Sequence, residues 1–581
     1  MSSRFPTIRL CRPLFLTARH IQTFRHPVYG RGPFHWLPMT PPSPKIGQVR
    51  PPPESDQESL YPGKRPRTEK EKTSSKSSQK THKLVKKSEK RLKKQREHQP
   101  ELCSPEHVQW LDIVNLLGED VVNDAIEEGK EFQSPFAFHE VVELEVKAIC
   151  SNGDGLAQSD TVHAPPWVVV VPFSLPGERV RVKIFKNNRM HSVADFIEIL
   201  RPNTELRDDS RVQCRYFSKC GGCQYQMLSY ERQLEFKRNV VAKAYKNYST
   251  LIECQIPPIQ PTIPSPLQYG YRTKITPHFQ APPSRLDREV LKKEVVDGRV
   301  PDWLKIGFNL QGQNKVLDIE ECPIATPVLN EALPSVRQNI YETIHTYKKG
   351  ATLLLRESLD ATGKTDHKKC ITSNHASVRE TVGDFTFEYL ASSFFQNNNS
   401  VLSSLTTYVR DTVFSLYPPD DSSRPTHLID TYCGSGLFAI TLSPYFSSIA
   451  GIEISGDSIL YANHNARINN IPPEKISFRK GDASDIFQTV SDFPPEKTVM
   501  VIDPPRKGCD DAFIQQLLNF RCQLVAYVSC NVHTQARDVG KILKATQGEG
   551  TGRRYVLESL SGFDLFPQTA HVESVAIMRL V

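Results

Sequence analysis

No run of the 581 residues approaches the ~20 consecutive apolar residues that span a bilayer, which excludes an integral helical membrane protein. No carboxylate occurs before Glu54, so the first 53 residues are purely cationic. No secretory signal is apparent, and the 13 cysteines are odd in number and scattered. That pattern argues against a disulfide framework and for reduced thiols used in metal binding or chemistry. The length suffices for several domains, each with its own core.

The net charge of +8 is unevenly spread. Residues 1–50 hold eight Lys/Arg and no acid, and residues 64–98 hold fifteen Lys/Arg against four Glu. The body after residue 98 is therefore net negative, and any polyanion-binding surface there must come from local patches. MSSRFPTIRLCRPLFLTARHIQTFRHPVYGRG is rich in Arg, hydroxyl and apolar residues and has the composition of a mitochondrial transit peptide, expected within residues 1–50. Residues 51–136 read as a disordered Pro-rich and Lys/Arg-rich tail. The run KRPRTEKEKTSSKSSQKTHKLVKKSEKRLKKQRE suits nuclear import or nonspecific phosphate attraction, with a plain solubilising tail as the alternative. Mitochondrial or nuclear and cytoplasmic localisation is the expectation; the two signals on one chain would allow both, and an ordinary basic tail is the alternative for residues 1–50.

Folded structure is expected from about residue 137. Residues 137–203 alternate apolar runs with Gly, Pro and Asn turns, the pattern of a small OB-like β-barrel. Residues 204–390 form a mixed α+β segment with cysteines. From 391 to 581 strands alternate with helices, which implies an α/β doubly wound, Rossmann-like domain with a parallel sheet.

In HLIDTYCGSGLFAITL a strand meets a glycine turn and a helix start, and Gly434 and Gly436 would admit a ligand close to the backbone. CGSG alone is weak evidence: it is not the six-residue phosphate fingerprint and lacks the Gly-Lys-Ser/Thr of a P-loop. The ordered series makes the case. IAGIEIS ends a second strand at Glu453, suited to ribose hydroxyls. ISFRKGDASDIF places Asp482 where it could face an adenine amino group. TVMVIDPPRKG ends at Asp503, and VAYVSCN ends at Cys530. Strand ends on one edge of such a sheet form the ligand crevice. A cysteine alone is most often a small buried hydrophobe, and His533 and Arg537 nearby read best as ordinary helix residues.

Separately, QCRYFSKCGGCQYQ supplies Cys214, Cys220 and Cys223 in a C-x5-C-x2-C run, with Cys322 far along in EECPIA. Four thiolates could hold zinc or an iron–sulfur cluster, or no metal at all.

At DPPRKG, VSCN, GFDLFPQTAHVESVA, SFFQNNNS and DTYCGSG the sequence resembles the uracil-C5 RNA methyltransferase family, from about residue 137 to the end. The resemblance implies an S-adenosylmethionine-dependent methyltransferase domain, a TRAM-like RNA-binding barrel at 137–203 and a smaller central domain. It implies Cys530 as nucleophile and Glu573 as base, with Gln396, Tyr432, Glu453 and Asp503 contacting the cofactor or holding the site. It implies methylation of uridine C5 in the T-loop of tRNA, at position 54, by a monomer with no membrane partner. The spacing of Cys214, Cys220, Cys223 and Cys322 is similar to the [4Fe–4S] site of some bacterial members. The basic tail and the insertion at 281–299 depart from compact members. Chemistry on rRNA, or a mainly noncatalytic tRNA-binding and folding role, are the alternatives. A radical enzyme would want C-x3-C-x2-C, and the RNA cytosine-C5 enzymes want Pro-Cys where DPPRKG stands.

Overall fold

The computed structural model describes residues 99–158, 166–283, 288–360, 367–481, 490–547 and 552–581. The targeting segment, the Pro-rich stretch, the basic run and Asp482 lie outside the described residues.

An eight-stranded sheet organises the C-terminal half. Its strands, with one from further upstream, are β6 (Gln260–Ile263), β9 (His427–Thr431), β10 (Ser448–Glu453), β11 (Ile476–Lys480), β12 (Thr498–Ile502), β13 (Leu524–Ser529), β14 (Tyr555–Phe563) and β15 (Glu573–Leu580). They lie in the order β11-β10-β9-β12-β13-β15-β14-β6. The first five are mutually parallel, and β15 runs antiparallel to both β13 and β14. The central strands are apolar throughout because both faces are covered. Leu428, Val499, Val501, Leu524 and Ala526 enter one core, whereas Ile429, Met500, Ile502, Val525 and Tyr527 enter the other. The first core is closed by α5 (Leu402–Ser415), α6 (Leu437–Thr441) and α7 (Gly456–Ile468). The second is closed by α3 (Tyr230–Tyr248), α8 (Asp511–Phe520) and α9 (Val532–Thr546). Fully burying each Val, Leu or Ile contributes roughly 1.5–3 kcal/mol, so this two-sided strand pattern is the main source of the domain's stability.

Upstream, β1 (Val141–Ile149), β2 (Gly155–Gln158), β3 (Val168–Val171), β4 (Arg179–Asn187) and β5 (His191–Arg201) close into a barrel in the order β1-β2-β3-β5-β4. Period-two alternation sends Leu144, Val146, Val180, Val182 and Ile184 inward. The barrel strands run from Val141 to Arg201.

Two boundaries differ from the sequence reading. Order begins before residue 137: α1 (Pro105–Leu117) and α2 (Glu119–Glu127) precede the barrel. Ser104 caps α1 by accepting a hydrogen bond from the His107 N–H, and Pro105 opens the helix. The limit at 390 is not a domain boundary either. α3 and β6 belong to the catalytic sheet, and the hairpin β7 (Ser377–Val382) with β8 (Phe385–Leu390) sends Val378, Phe387 and Tyr389 into its first core. What remains between is a set of short antiparallel ladders packed on α4 (Pro327–Thr343). Within the insertion, Arg288–Val296 forms a helix seated by Leu291. No helix among the described residues is long and apolar enough to cross a membrane.

Candidate active site

Strand register brings the sequence-remote pair together. Ser529 of β13 pairs with Ser574 of β15 in an antiparallel ladder. Cys530 follows the last residue of β13 and Glu573 opens β15, so the two lie at neighbouring strand ends and line one cavity. Gln535 of α9 fixes both strand ends. Its amide donates to the Tyr527 and Ser574 carbonyls at 2.7 and 3.1 Å, and its side-chain oxygen accepts from the Ser574 hydroxyl at 2.7 Å. Asn531 caps α9 and donates to the Arg506 carbonyl at 2.9 Å, tying the Asp503–Arg506 turn to the cysteine.

Cys530, Glu573 and Gln396 line one cavity of about 480 Å³, together with Arg506, His571 and Phe394. The sequence reading assigned no role to these last three. Phe394 is 74 % exposed, an aromatic face presented to solvent at a polar pocket. The loop between β14 and β15 that carries His571 is held by α3. Lys237 forms a fully buried ion pair with Asp564, and Gln233 exchanges hydrogen bonds with Gln568 at 3.0 Å each way.

The reaction favours a thiolate, yet burial, reinforced by the Glu573 and Asp503 carboxylates, pushes the Cys530 thiol up to about 12, with Arg506 pulling the other way. Burial and the Asp503 charge hold Glu573 up at about 8, and burial holds Asp503 at about 7. Burial lowers His571 to about 4, so its ring is neutral. Cys530, Glu573 and Asp503 thus disfavour one another's charged forms, with the Arg506 guanidinium opposing them at Cys530 and Glu573. His533 and Arg537 do not line the cavity. His533 packs its ring on Tyr248, and Arg537 pairs with Asp538.

The glycine turn lies at the ends of β9 and β10. Tyr432, Gly434 and Gly436 all adopt positive φ, at 61°, 55° and 94°. A Cβ on Gly434 would project into open space, whereas one on Gly436 would meet the Ile440 side chain at 2.9 Å. Glu453 accepts from the Gly434 N–H at 3.1 Å and the Ser455 N–H at 2.9 Å. Sequence reading missed Asp430, two residues before Tyr432. One of its oxygens accepts from the Ala439 N–H at 2.8 Å, the other is buried without a partner, and burial raises the carboxyl to about 8.

Cys214, Cys220, Cys223 and Cys322 line a second cavity of about 280 Å³. Gly222, Arg272 and Thr569 wall both cavities. Among the described residues no group of three or more His, Cys, Asp or Glu side chains is arranged to hold a metal ion, so neither the zinc nor the iron–sulfur expectation has geometric support.

Comparison with known proteins agrees with this layout. A family profile described as tRNA (Uracil-5-)-methyltransferase matches residues 358–580. The chain is similar to the tRNA (uracil(54)-C(5))-methyltransferase of Schizosaccharomyces pombe, 43 % identical over 84 % of this chain and 86 % of that protein. The Saccharomyces cerevisiae protein of the same name is 37 % identical, over 84 % and 83 %. The crystal structure of the Pyrococcus abyssi tRNA (uracil-54, C5)-methyltransferase in complex with S-adenosyl-L-homocysteine shares the fold, with a TM-score of 0.51 at 22 % identity over 75 % of this chain and 99 % of that one. By sequence and by fold, the chain belongs to the tRNA (uracil-5-)-methyltransferase family.

Proposed function

We propose that this protein methylates carbon 5 of uridine 54 in the T-loop of tRNA, using S-adenosylmethionine. The observation that carries the reading is the cavity shared by the Cys530 thiol and the buried Glu573 carboxylate, at the neighbouring ends of β13 and β15.

Carbon 5 of uracil is a weak nucleophile. Cys530 releases its thiol proton to solvent and adds Sγ to carbon 6, the electrons of the C5–C6 double bond shift towards O4, and carbon 5 becomes an enolate carbon able to take the methyl group that bound S-adenosylmethionine would supply, leaving S-adenosylhomocysteine. Glu573 then removes the carbon-5 proton, the C6–Sγ bond breaks, and the thiolate leaves. Arg506 offsets the negative charge that forms on Cys530. Gln396 and Asp503 border the reacting atoms. Tyr432, Gly434, Gly436 and Glu453 form the cofactor cradle, where the unpartnered Asp430 oxygen and the open space at Gly434 fit a polar ligand. The target base must leave its stack, and Phe394 offers it a new stacking surface. The barrel serves as the TRAM-like module that grips the RNA.

The four cysteines line one cavity, and their number and thiol chemistry suit a [4Fe–4S] cluster. Cys214, Cys220, Cys223 and Cys322 would hold it, in a structural role. Anaerobically purified protein is expected to carry iron, sulfide and broad visible absorbance, and Cys322→Ser to lose all three. Colourless, iron-free wild-type protein would rule the cluster out.

The reading is tested by incubating the protein with unmodified tRNA and methyl-labelled S-adenosylmethionine, followed by nucleoside analysis. Labelled 5-methyluridine is expected, and tRNA with cytidine at position 54 should remain unlabelled. Equal labelling of both would move the substrate elsewhere.

A further inference from the structure

Helix α1 lies ahead of the barrel and touches two parts of the molecule at once. One side buries Ile113 with Cys150, Leu156, Val168 and Val170 of the barrel. The other places Cys103 and Val108 in the second core of the catalytic sheet, with Val240, Ala244 and Tyr248 of α3. Polar contacts follow the same division. His107 Nδ1 and the Tyr248 hydroxyl lie 2.8 Å apart. The Asp112 carboxylate, only 3 % exposed, accepts from the Ser151 N–H at 2.7 Å, the Cys150 thiol at 3.1 Å and the Lys243 ammonium at 2.8 Å. Lys243, on α3, also donates to the Ile149 carbonyl at 2.9 Å. Three elements thus meet at one ion pair whose carboxylate is buried and whose ammonium is partly exposed.

The loop pinned there reaches the active site. Ser151 and Asn152 line the catalytic cavity beside Ala570 and His571. Gly153 follows at φ +92°, and a Cβ on it would stand 2.8 Å from Ala570 Cβ. Barrel and catalytic loop are therefore in contact at a point where no side chain fits.

We propose that α1 is a latch that sets the barrel loop 150–154 as one wall of the uridine pocket, with Asp112 as the positioning residue for the RNA substrate. The proposal rests on the methyltransferase reading above. Asp112 touches no reacting atom: it acts through the Ser151 backbone. Removing one partner leaves the other charge buried and unpaired, which favours release of the loop.

The test uses full-length Asp112→Asn, Lys243→Met and the double variant. Each single variant is expected to raise KM for tRNA about tenfold, equivalent to about 1.4 kcal/mol, with kcat at saturating tRNA and S-adenosylmethionine affinity close to wild type. The double variant should be no worse than the worse single one, because the two act as a unit. Amide exchange at residues 150–154 should accelerate in all three. Unchanged KM in folded variants, unchanged exchange at 150–154, or cofactor affinity falling in step with tRNA affinity would each overturn the latch. Failure of the wild type to methylate tRNA strikes the functional reading instead, and the exchange measurement still decides the latch.

Discussion

Cys530→Ala is expected to lower methyl transfer to tRNA by at least ~10⁴-fold while leaving the fold and cofactor affinity intact. The size follows from the chemistry. Without the thiol no covalent bond forms at carbon 6, carbon 5 stays unactivated, and the remaining residues can only bind. The fold should survive because Cys530 follows the last residue of β13 and its thiol donates none of the hydrogen bonds that fix the strand end; Gln535 and Asn531 supply those. Radiolabel transfer together with calorimetric cofactor titration reads both halves of the prediction. Transfer within about tenfold of wild type would mean that the nucleophile is another group.

Glu573→Gln should act later. The thiol still attacks and the methyl group still transfers, but the carbon-5 proton has no base to take it. Steady-state turnover is expected to fall by about 10²–10⁴-fold, with a covalent protein–RNA species accumulating in proportion to enzyme. The same change tests the electrostatics. The folded protein holds Glu573 at about 8, well above an ordinary glutamate at 4.5. Its contribution to stability is thus fully present below the ordinary range and is lost as pH climbs to about 8. Glutamine does not titrate. The variant should therefore gain stability over wild type, by more at pH 8.5 than at pH 5.5, on the order of a few kcal/mol at the upper end. Parallel denaturation curves at the two pH values check this, and an equal offset at both would contradict the burial argument. Wild-type turnover should rise with pH towards about 8 as the base deprotonates.

The sequence made the strand ends legible because a doubly wound sheet obliges its ligand groups to lie there. Glu453, Asp503 and Cys530 could be placed by counting strands alone. The barrel was legible from period-two alternation. What counting could not reach was the register of an antiparallel strand inserted after the parallel ones, so the Cys530–Glu573 pairing needed the fold. Asp430 was overlooked because it sits inside an apolar strand, where a carboxylate reads as an oddity rather than a ligand. Its signal is that burial without a full set of partners is costly. The order ahead of residue 137 was overlooked because the neighbouring basic run set the reading for the whole tail. Ser104-Pro105-Glu106 before VQWLDIVNLL is a helix-start signature that composition masks. The boundary at 390 failed for a different reason. α3 packs on the catalytic sheet and β6 is one of its strands although the sheet's next strand begins only at His427, and local patterning carries no record of such long-range pairing.

The most direct test of the central claim is peptide mapping of the stalled Glu573→Gln complex by mass spectrometry, after digestion of protein and tRNA. The account predicts one cross-linked species, in which the peptide bearing Cys530 carries a methylated uridine nucleotide from position 54. A cross-link at any other cysteine, or an RNA fragment from outside the T-loop, would contradict it.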